Sequence, residues 1–371
     1  MNSRNLSFLI ARARLAVFGF VVILAAPWVA AAELSAETKA AVDAAVEAFM
    51  KKAKAPGLSA AIAVDGEVCY EHGYGLADVE NNVPATAETI YRLASISKML
   101  TATAVMQLVE QGKLDLEAPI QNYVPGFPEK QAPITCELLL KHQSGIRHYK
   151  GDEVRSNVAY AHVADAFRVF KDDPLLFTPG EKYSYTTYGF CVLGAAIEGA
   201  SGQNYVSYLD EHIFRPSGMK TIQADRVHNI IPHRAAGYRR SGPLLVNDIQ
   251  VDVSNKIPGG GWCATPGDLA RFAVALSQGK LVSSETLERM WTPQKTSKGA
   301  ETPVGYGCFM RTIDGDRRID HGGGQPKVST FLTFSPAQKT AVAVMCNLRN
   351  APVEALADEL LKIVREPSTA R

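Results

Sequence analysis

Residues Arg92–Leu100 read RLASISKML and place Ser95 three positions before Lys98, where an apolar run begins. A serine hydroxyl is a weak nucleophile unless a neighbouring group takes its proton. Residues three apart lie on one face of a helix, so the Lys98 amine can approach the Ser95 oxygen. Burial favours the neutral amine, which can accept that proton. Free N–H groups at a helix start would also stabilise a developing oxyanion.

The apolar run distinguishes Ser95 from other matches to the same short pattern. Residues 99–109 are apolar nearly all round, and Gly112 is a suitable end signal, which together predict a buried helix. Ser-x-x-Lys recurs at Ser217–Lys220 and Ser277–Lys280, beside glycines and in predicted loops or at a helix end. Such short patterns often arise by chance. Only the Ser95 copy, whose lysine opens a buried helix, is predicted to be catalytic.

Bulk properties exclude several classes of function. The chain has 371 residues, 46% of them hydrophobic, and a formal net charge of +1. This length predicts two domains or one large composite domain. Near-neutral charge and scattered basic residues argue against a nucleic-acid partner. The eight histidines are dispersed and no metal-ligand spacing occurs, so we expect no metal and no cofactor. The expected partner is a small-molecule or peptide substrate.

The N-terminus has the pattern of an export signal. Basic residues (Arg4, Arg12 and Arg14) precede an apolar stretch at 15–24, and Ala30–Ala32 offers a cleavage site before Glu33. We predict a signal peptide at 1–32 and a periplasmic or secreted mature protein. The alternative is an uncleaved anchor, in which case the membrane would be contacted only through this segment. The apolar stretch is shorter than the ~20 residues that a span needs, which favours cleavage.

The six cysteines show no Cys-x-x-Cys pair. Several, such as Cys191 and Cys346, lie in apolar surroundings and are predicted to be buried and unpaired. Disulfides are compatible with export, and the sequence assigns none.

The two ends of the chain carry matching strand patterns. Predicted elements are a helix at 35–54, strands at 58–64 and 67–71 around Asp65-Gly66, strands at 308–313, 317–319, 331–334 and 340–346, and a helix at 353–364. From about 95 to 240, helical patterns and loops dominate. The predicted class is α+β, with one antiparallel sheet flanked by the terminal helices and an inserted, mostly helical lobe.

This pattern suggests domain bounds for the mature protein at 33–371. The α/β lobe would comprise about 33–90 and 260–371, and the helical lobe about 91–259. A cleft between two lobes is a usual place for a binding site.

Two further segments are candidates for chemistry. Pro179–Phe190 carries three closely spaced tyrosines before an apolar helix at 191–197, and a loop tyrosine can move protons if cations lower its pKa. The alternative is that these tyrosines only pack. His321–Gly324 follows the strand at 317–319, and glycines there let a backbone edge approach substrate or an oxyanion. The alternative is a plain glycine-rich turn.

In this order the three segments resemble the serine β-lactamase and penicillin-binding-protein superfamily, and most closely its class C-related branch. That branch includes esterases, D-aminopeptidases and D-alanyl-D-alanine carboxypeptidases. The resemblance extends over almost the whole mature chain. Further matching stretches are Pro56-Gly57, Thr89–Arg92, Gly112–Leu116, Leu139–Ile146, Gly260–Trp262 and Thr265–Leu269.

The resemblance implies a β-lactamase/transpeptidase-like fold and a role for each motif. Ser95 would be the acylated nucleophile, Lys98 its proton partner and Tyr185 the catalytic tyrosine. The oxyanion would be bound by the backbone N–H groups of Ser95 and Gly324. The substrate-binding residues would be Thr187, His321, Gly323 and Gly324.

Two departures from the family pattern bear on the substrate. The tyrosine motif usually reads Tyr-x-Asn, whereas Thr187 stands here in place of the asparagine and lacks an amide. His321 replaces the lysine of the third motif, so a permanent cation for a β-lactam carboxylate is missing, although Lys327 follows closely. Both changes argue against β-lactams as the physiological substrate and leave the acyl-transfer residues in place.

We therefore predict an exported serine hydrolase that forms an acyl-enzyme on Ser95 and hydrolyses an ester or amide bond, in a peptide or a β-lactam-like compound. The alternative is a cell-envelope binding or scaffold protein with the same fold and little turnover. An α/β-hydrolase is disfavoured because no Gly-x-Ser-x-Gly elbow occurs.

Overall fold

The computed structural model describes residues 33–365, so the predicted signal segment at 1–32 lies outside the described part. The α-helices of this part are α1 (Ala36–Ala53), α2 (Ser97–Glu110), α3 (Cys136–Leu140), α4 (Tyr188–Ser201), α5 (Tyr205–Leu209), α6 (Arg215–Ser217), α7 (Ile257–Gly260), α8 (Pro266–Ser277), α9 (Ser284–Met290) and α10 (Val353–Arg365). The strands are β1 (Gly57–Val64), β2 (Glu67–Asp78), β3 (Val83–Pro84), β4 (Tyr91–Arg92), β5 (Gln223–Ala224), β6 (Tyr238–Ser241), β7 (Leu244–Asn247), β8 (Trp262–Ala264), β9 (Phe309–Ile313), β10 (Asp316–Gln325), β11 (Val328–Ser335) and β12 (Thr340–Cys346).

The main sheet joins the two ends of the chain. Its order is β3-β2-β1-β12-β11-β10-β9, and all neighbours are antiparallel. Strand β1 pairs with β12 from Leu58↔Cys346 to Ala63↔Ala341. Strands β11 and β12 are buried along their whole length, in accord with their apolar sequences. This arrangement confirms the predicted α+β class with one antiparallel sheet built from both ends.

Helices cover both faces of this sheet. Because side chains alternate along a strand, Phe331 packs toward α1 and α10, whereas Leu332 packs toward α2. The terminal helices α1 and α10 contact each other on the face of the sheet that they cover. Val46 and Leu360 are fully buried at this contact. Helix α8 packs on the opposite face, against β1 and β12. The sheet is therefore the central layer between two helical layers.

Strand β10 is longer than predicted and includes the third motif, His321–Gly324. It runs through the glycines at 322–324 and pairs with β11 as far as Gln325↔Val328. The alternative of a glycine-rich turn is therefore wrong. Glycine weakens an isolated strand, but β11 supplies a continuous partner for these residues. The predicted turn at Asp314-Gly315 is confirmed, and both residues have the positive φ of a tight hairpin turn (53° and 74°).

The middle of the chain contains short strands that the sequence did not indicate. Strand β8 pairs with both β4 and β5, and β6 pairs with β7. These strands span two to four residues, which is too short for alternation to be recognised. Helices α2 to α6 also lie in this section, joined by long irregular segments. The division into two lobes with the bounds given above stays a prediction.

All six cysteines are unpaired, and five of them are buried, as predicted. The exception is Cys69, which is partly exposed. Within residues 33–365, no helix combines the length and the apolar character needed to cross a bilayer.

Candidate active site

Ser95 lies in a short 3₁₀ turn, Ala94–Ile96, that leads directly into α2. The residue before it, Ala94, has a φ of +47°, a conformation that costs a non-glycine residue about 1–2 kcal/mol. Two bonds hold Leu93 in place: its N–H donates to the Trp262 carbonyl at 2.8 Å, and its carbonyl accepts from Thr330 Oγ1 at 3.1 Å. The strained turn presents Ser95 partly exposed at the end of a buried segment.

The Lys98 amine is fully buried and makes three contacts. Its Nζ lies 2.6 Å from the Gly259 carbonyl oxygen, 3.2 Å from Thr187 Oγ1 and 3.2 Å from Ser95 Oγ. Burial, with a smaller contribution from the nearby Lys256 cation, lowers the pKa of Lys98 to about 7. A neutral amine has two hydrogens and one lone pair. The carbonyl and the threonine hydroxyl can take the hydrogens, which leaves the lone pair directed at Ser95.

Tyr185 lies over the same amine, with Lys98 Nζ 4.8 Å from its ring centroid. Burial raises the pKa of Tyr185 well above its usual range, and an interaction with the Ser95 hydroxyl offsets part of that rise. The condition that cationic neighbours lower this pKa is therefore not met. A nearly neutral lysine gives a phenolate little support, while the dry surroundings penalise it. At neutral pH Tyr185 is a protonated phenol and can donate a proton.

Thr187 connects the Lys98 amine to a histidine that the sequence did not indicate. Its hydroxyl accepts from Lys98, and its N–H donates to His148 Nδ1 at 3.1 Å. Because Nδ1 accepts, the proton of neutral His148 is on Nε2. Burial, followed by the charge of Lys98, lowers the pKa of His148 to about 4. The imidazole is therefore neutral over the physiological range and stands edge-on to the Tyr185 ring, 5.6 Å between centroids.

A second unpredicted histidine supports the tyrosine from the other side. The buried ring of His142 lies 4.5 Å from the Tyr185 ring, and its Nδ1 accepts from Thr186 N–H at 3.1 Å. Both histidines belong to one loop, which Arg147 secures by bonds to Glu153 and Asp173. The stretch Leu139–Ile146 contains His142 and matched the family. Its partners lie more than forty positions away, so the sequence did not reveal the contact.

The third motif contributes a neutral residue. His321 Nδ1 lies 2.7 Å from the Gly322 carbonyl oxygen, to which it donates. Burial, and then Lys98, lowers the pKa of His321 to about 3, so the ring is uncharged at neutral pH. It lies 6.4 Å from the Tyr185 ring. Lys327, which the sequence placed near this motif, instead donates to Gln250 Oε1 and lines a separate cavity.

The end of β10 offers a free backbone edge beside the serine. Strand β9 pairs with β10 only as far as Asp320↔Phe309, whereas β11 continues to Gln325. Hydrogen bonding alternates along an antiparallel strand, and the turn at 314–315 directs the even-numbered residues toward β9. The Gly324 N–H therefore faces the edge that β9 leaves open. An N–H that is free of strand pairing is available to donate to an oxyanion.

Gly323 has a packing role that differs from the predicted substrate contact. A Cβ at this position would lie 2.4 Å from the Leu93 carbonyl oxygen and 2.2 Å from Thr330 Oγ1. Only glycine allows the strand to approach the segment before Ser95 this closely. The structure thus brings Ser95, Lys98, Tyr185 and Thr187 together, with His321 and the β10 edge adjoining them.

Comparison with known proteins assigns the family. The beta-lactamase family pattern matches residues 42–365. The chain belongs to the beta-lactamase family. The mitochondrial serine beta-lactamase-like protein LACTB of Homo sapiens is 30% identical, over 84% of this chain and 76% of that protein.

Other members of the family are similarly close. The putative penicillin-binding protein PbpX of Bacillus subtilis is 30% identical, over 79% of this chain and 71% of that one. The octameric penicillin-binding protein homologue from Pyrococcus abyssi superposes with a TM-score of 0.75 at 28% identity, over 86% of this chain and 75% of that chain. These findings confirm the predicted superfamily, and the protein is a serine hydrolase of the β-lactamase-related family.

The close approach at Gly323 yields a stability prediction. Gly323→Ala forces its Cβ against the Leu93 carbonyl, and we expect it to lower the free energy of unfolding by about 1–3 kcal/mol. Gly324→Ala is the matched control, because no heavy atom lies within 4 Å of its Cβ position. Its effect should stay within about 1 kcal/mol. Urea unfolding of both variants measures the difference, and equal losses would contradict the packing role.

Proposed function

We propose that Ser95 is the nucleophile and that neutral Lys98 is its general base in an acyl-enzyme mechanism. The observation that carries this proposal is the arrangement around Lys98 Nζ. Two acceptors, Gly259 O and Thr187 Oγ1, are placed for the hydrogens of the amine, and Ser95 Oγ lies at 3.2 Å in the remaining direction. A base with a pKa near the working pH transfers protons most effectively.

The steps follow from these positions. Ser95 Oγ bonds to the substrate carbonyl carbon as its proton passes to Lys98, and the resulting oxyanion is bound by the N–H groups of Ser95 and Gly324. The Tyr185 phenol protonates the leaving oxygen or nitrogen as its bond to carbon breaks, and Lys98 returns a proton to Tyr185. Water then attacks the acyl carbon as its proton passes to Lys98. The bond from Ser95 Oγ to that carbon breaks, Lys98 returns the proton to Oγ, and the acid is released.

We infer that the substrate is uncharged next to the scissile bond. His321 is neutral where the family pattern has lysine, so a substrate carboxylate would have no cation there. The neutral histidine therefore favours a neutral ester or amide, including peptide derivatives.

Export is part of the proposal. It is supported by the basic, apolar and small-residue pattern at 1–32. Relatives include penicillin-binding proteins as well as a protein named as mitochondrial, so the compartment is inferred from this chain's own N-terminus.

Replacement of the nucleophile is the first test. We expect Ser95→Ala to abolish labelling by a fluorophosphonate probe and to reduce ester hydrolysis at least a thousandfold, because the acyl bond cannot form. Ser277→Ala is the control, since Ser277 belongs to another Ser-x-x-Lys sequence. This variant should be labelled and should hydrolyse the ester like the wild type. Labelling that persists in Ser95→Ala would rule out the assigned nucleophile. A folded wild-type protein that no acylating probe labels would support the scaffold alternative.

The pKa of Lys98 predicts the pH dependence. Hydrolysis needs the neutral amine, so kcat/KM for a nitrophenyl ester should rise about tenfold per pH unit below pH 7 and level off above about pH 8. The histidines His148 and His321 should contribute no inflection above pH 5. Lys256→Met removes a positive charge near Lys98 and should move the inflection to higher pH. A flat profile between pH 5 and 8 would exclude Lys98 as the base.

A substrate panel tests the inferred charge preference. We expect kcat/KM for nitrophenyl acetate and butyrate to exceed that for nitrocefin and for D-alanyl-D-alanine peptides, whose carboxylates meet no cation at His321. Ser95→Ala measured in parallel identifies turnover that depends on the site. Fastest hydrolysis of nitrocefin would show that the substrate inference is wrong while leaving the acyl-enzyme mechanism intact.

A further inference from the structure

A small cationic cavity lies behind the active site, between β4 and the turn that joins β10 to β11. Its volume is about 50 Å³. Three basic side chains line it, those of Arg92, Arg234 and Lys327, together with the carboxylate of Asp225. A water molecule needs about 10–15 Å³ of such volume, so the cavity can hold a monatomic ion or a few waters.

Two guanidinium N–H groups in this region are buried without an acceptor. Arg92 Nε donates to Asp225 Oδ2 at 2.5 Å and its Nη2 donates to the Val251 carbonyl at 3.1 Å. Its Nη1 has no hydrogen-bond partner among residues 33–365, and neither does Nε of Arg234. The whole Arg92 residue is only 8% exposed. Asp225 Oδ1 is also buried without a hydrogen-bond partner in the same range of residues, so the unpaired donors of the two arginines outnumber the one unpaired acceptor beside them. Unpaired buried donors on charged groups are costly, and a further acceptor in the cavity would satisfy them.

The charges around the cavity do not balance. Asp225 is shared by Arg92 and Arg234, whose Nη2 lies 2.9 Å from Asp225 Oδ1. Within the described range 33–365, the hydrogen bond of Lys327 Nζ goes to the neutral Gln250 side chain. A further carboxylate, Asp248, accepts from Lys327 N–H and is flanked by two more arginines, Arg239 and Arg349. Burial and then Arg92 lower the pKa of Lys327, as expected where positive charge is in excess.

We propose that this cavity binds a small monovalent anion, such as a halide, through Arg92 Nη1, Arg234 Nε and Lys327. The volume excludes large anions, and the charge excess favours an anion over water. The site joins two parts of the active site: Arg92 lies three residues before Ser95, and Lys327 follows the β10 edge by two residues. A bound anion would therefore hold the nucleophile segment against the strand that carries the Gly324 N–H.

Thermal unfolding of the full chain with different anions tests the proposal. Sodium bromide is titrated against sodium gluconate at constant ionic strength, since gluconate is too large for the cavity. A ligand that binds only the folded state stabilises it, so Tm should rise with bromide and saturate. Arg234→Gln removes one charge-assisted contact and should raise the half-saturating bromide concentration about tenfold. Arg155→Gln is the control, because that side chain is 62% exposed and pairs with the exposed Asp152.

Crystallography gives an independent outcome. Crystals grown with bromide should show anomalous scattering in the cavity, within hydrogen-bond distance of Arg92 Nη1 and Arg234 Nε. A wild-type Tm that is the same in bromide and gluconate, or a cavity that contains water alone, would overturn the proposal. An Arg234→Gln protein with unchanged bromide dependence would place the anion elsewhere and would overturn it as well. None of these readouts depends on hydrolytic activity.

Discussion

The burial of a single amine is the constraint on which the active site depends. An ammonium group without a carboxylate partner is expensive to place in a dry interior, so the Lys98 pKa falls until the neutral form is accessible. The same burial requires acceptors for its hydrogens. Gly259 at the end of α7 and Thr187 at the start of α4 provide them. Three separate helices therefore meet at one nitrogen, and the direction they leave free is that of Ser95.

A second constraint fixes the serine relative to the sheet. The strained Ala94 conformation is sustained because Leu93 is bonded on both sides, to Trp262 and to Thr330. Strand β10 approaches Leu93 this closely only because Gly323 has no side chain. Strain of this kind persists where surrounding packing determines the backbone, and it occurs often at functional sites. The helical and sheet portions of the site are thus held by backbone contacts, which leave the side chains of Ser95 and Tyr185 available for chemistry.

The sequence predicted the features that local pattern encodes. The antiparallel sheet, the terminal helices and the grouping of Ser95, Lys98 and Tyr185 all follow from periodicity, spacing and family resemblance. The partners of Lys98 did not follow, because Thr187 and Gly259 are 89 and 161 positions away and one contributes only a carbonyl. His148 was missed for the same reason. The condition that cations lower the Tyr185 pKa is not met, because that pKa depends on burial, which the motif does not show. Strands as short as β4 and β5 carry no periodic signal.

The placement of positive charge explains why a neutral histidine is compatible with the third motif. A lysine at position 321 would stand in a fully dry strand beside Lys98, and among residues 33–365 no carboxylate contacts the His321 side chain. It would push the Lys98 pKa down and would itself be desolvated. In this protein Lys256, from another element, already supplies a cationic influence on Lys98. His321 can therefore remain uncharged, fill its place in the site and donate a hydrogen bond to the Gly322 carbonyl. The uncharged ring is also the reason why the proposed substrate carries no carboxylate at this position.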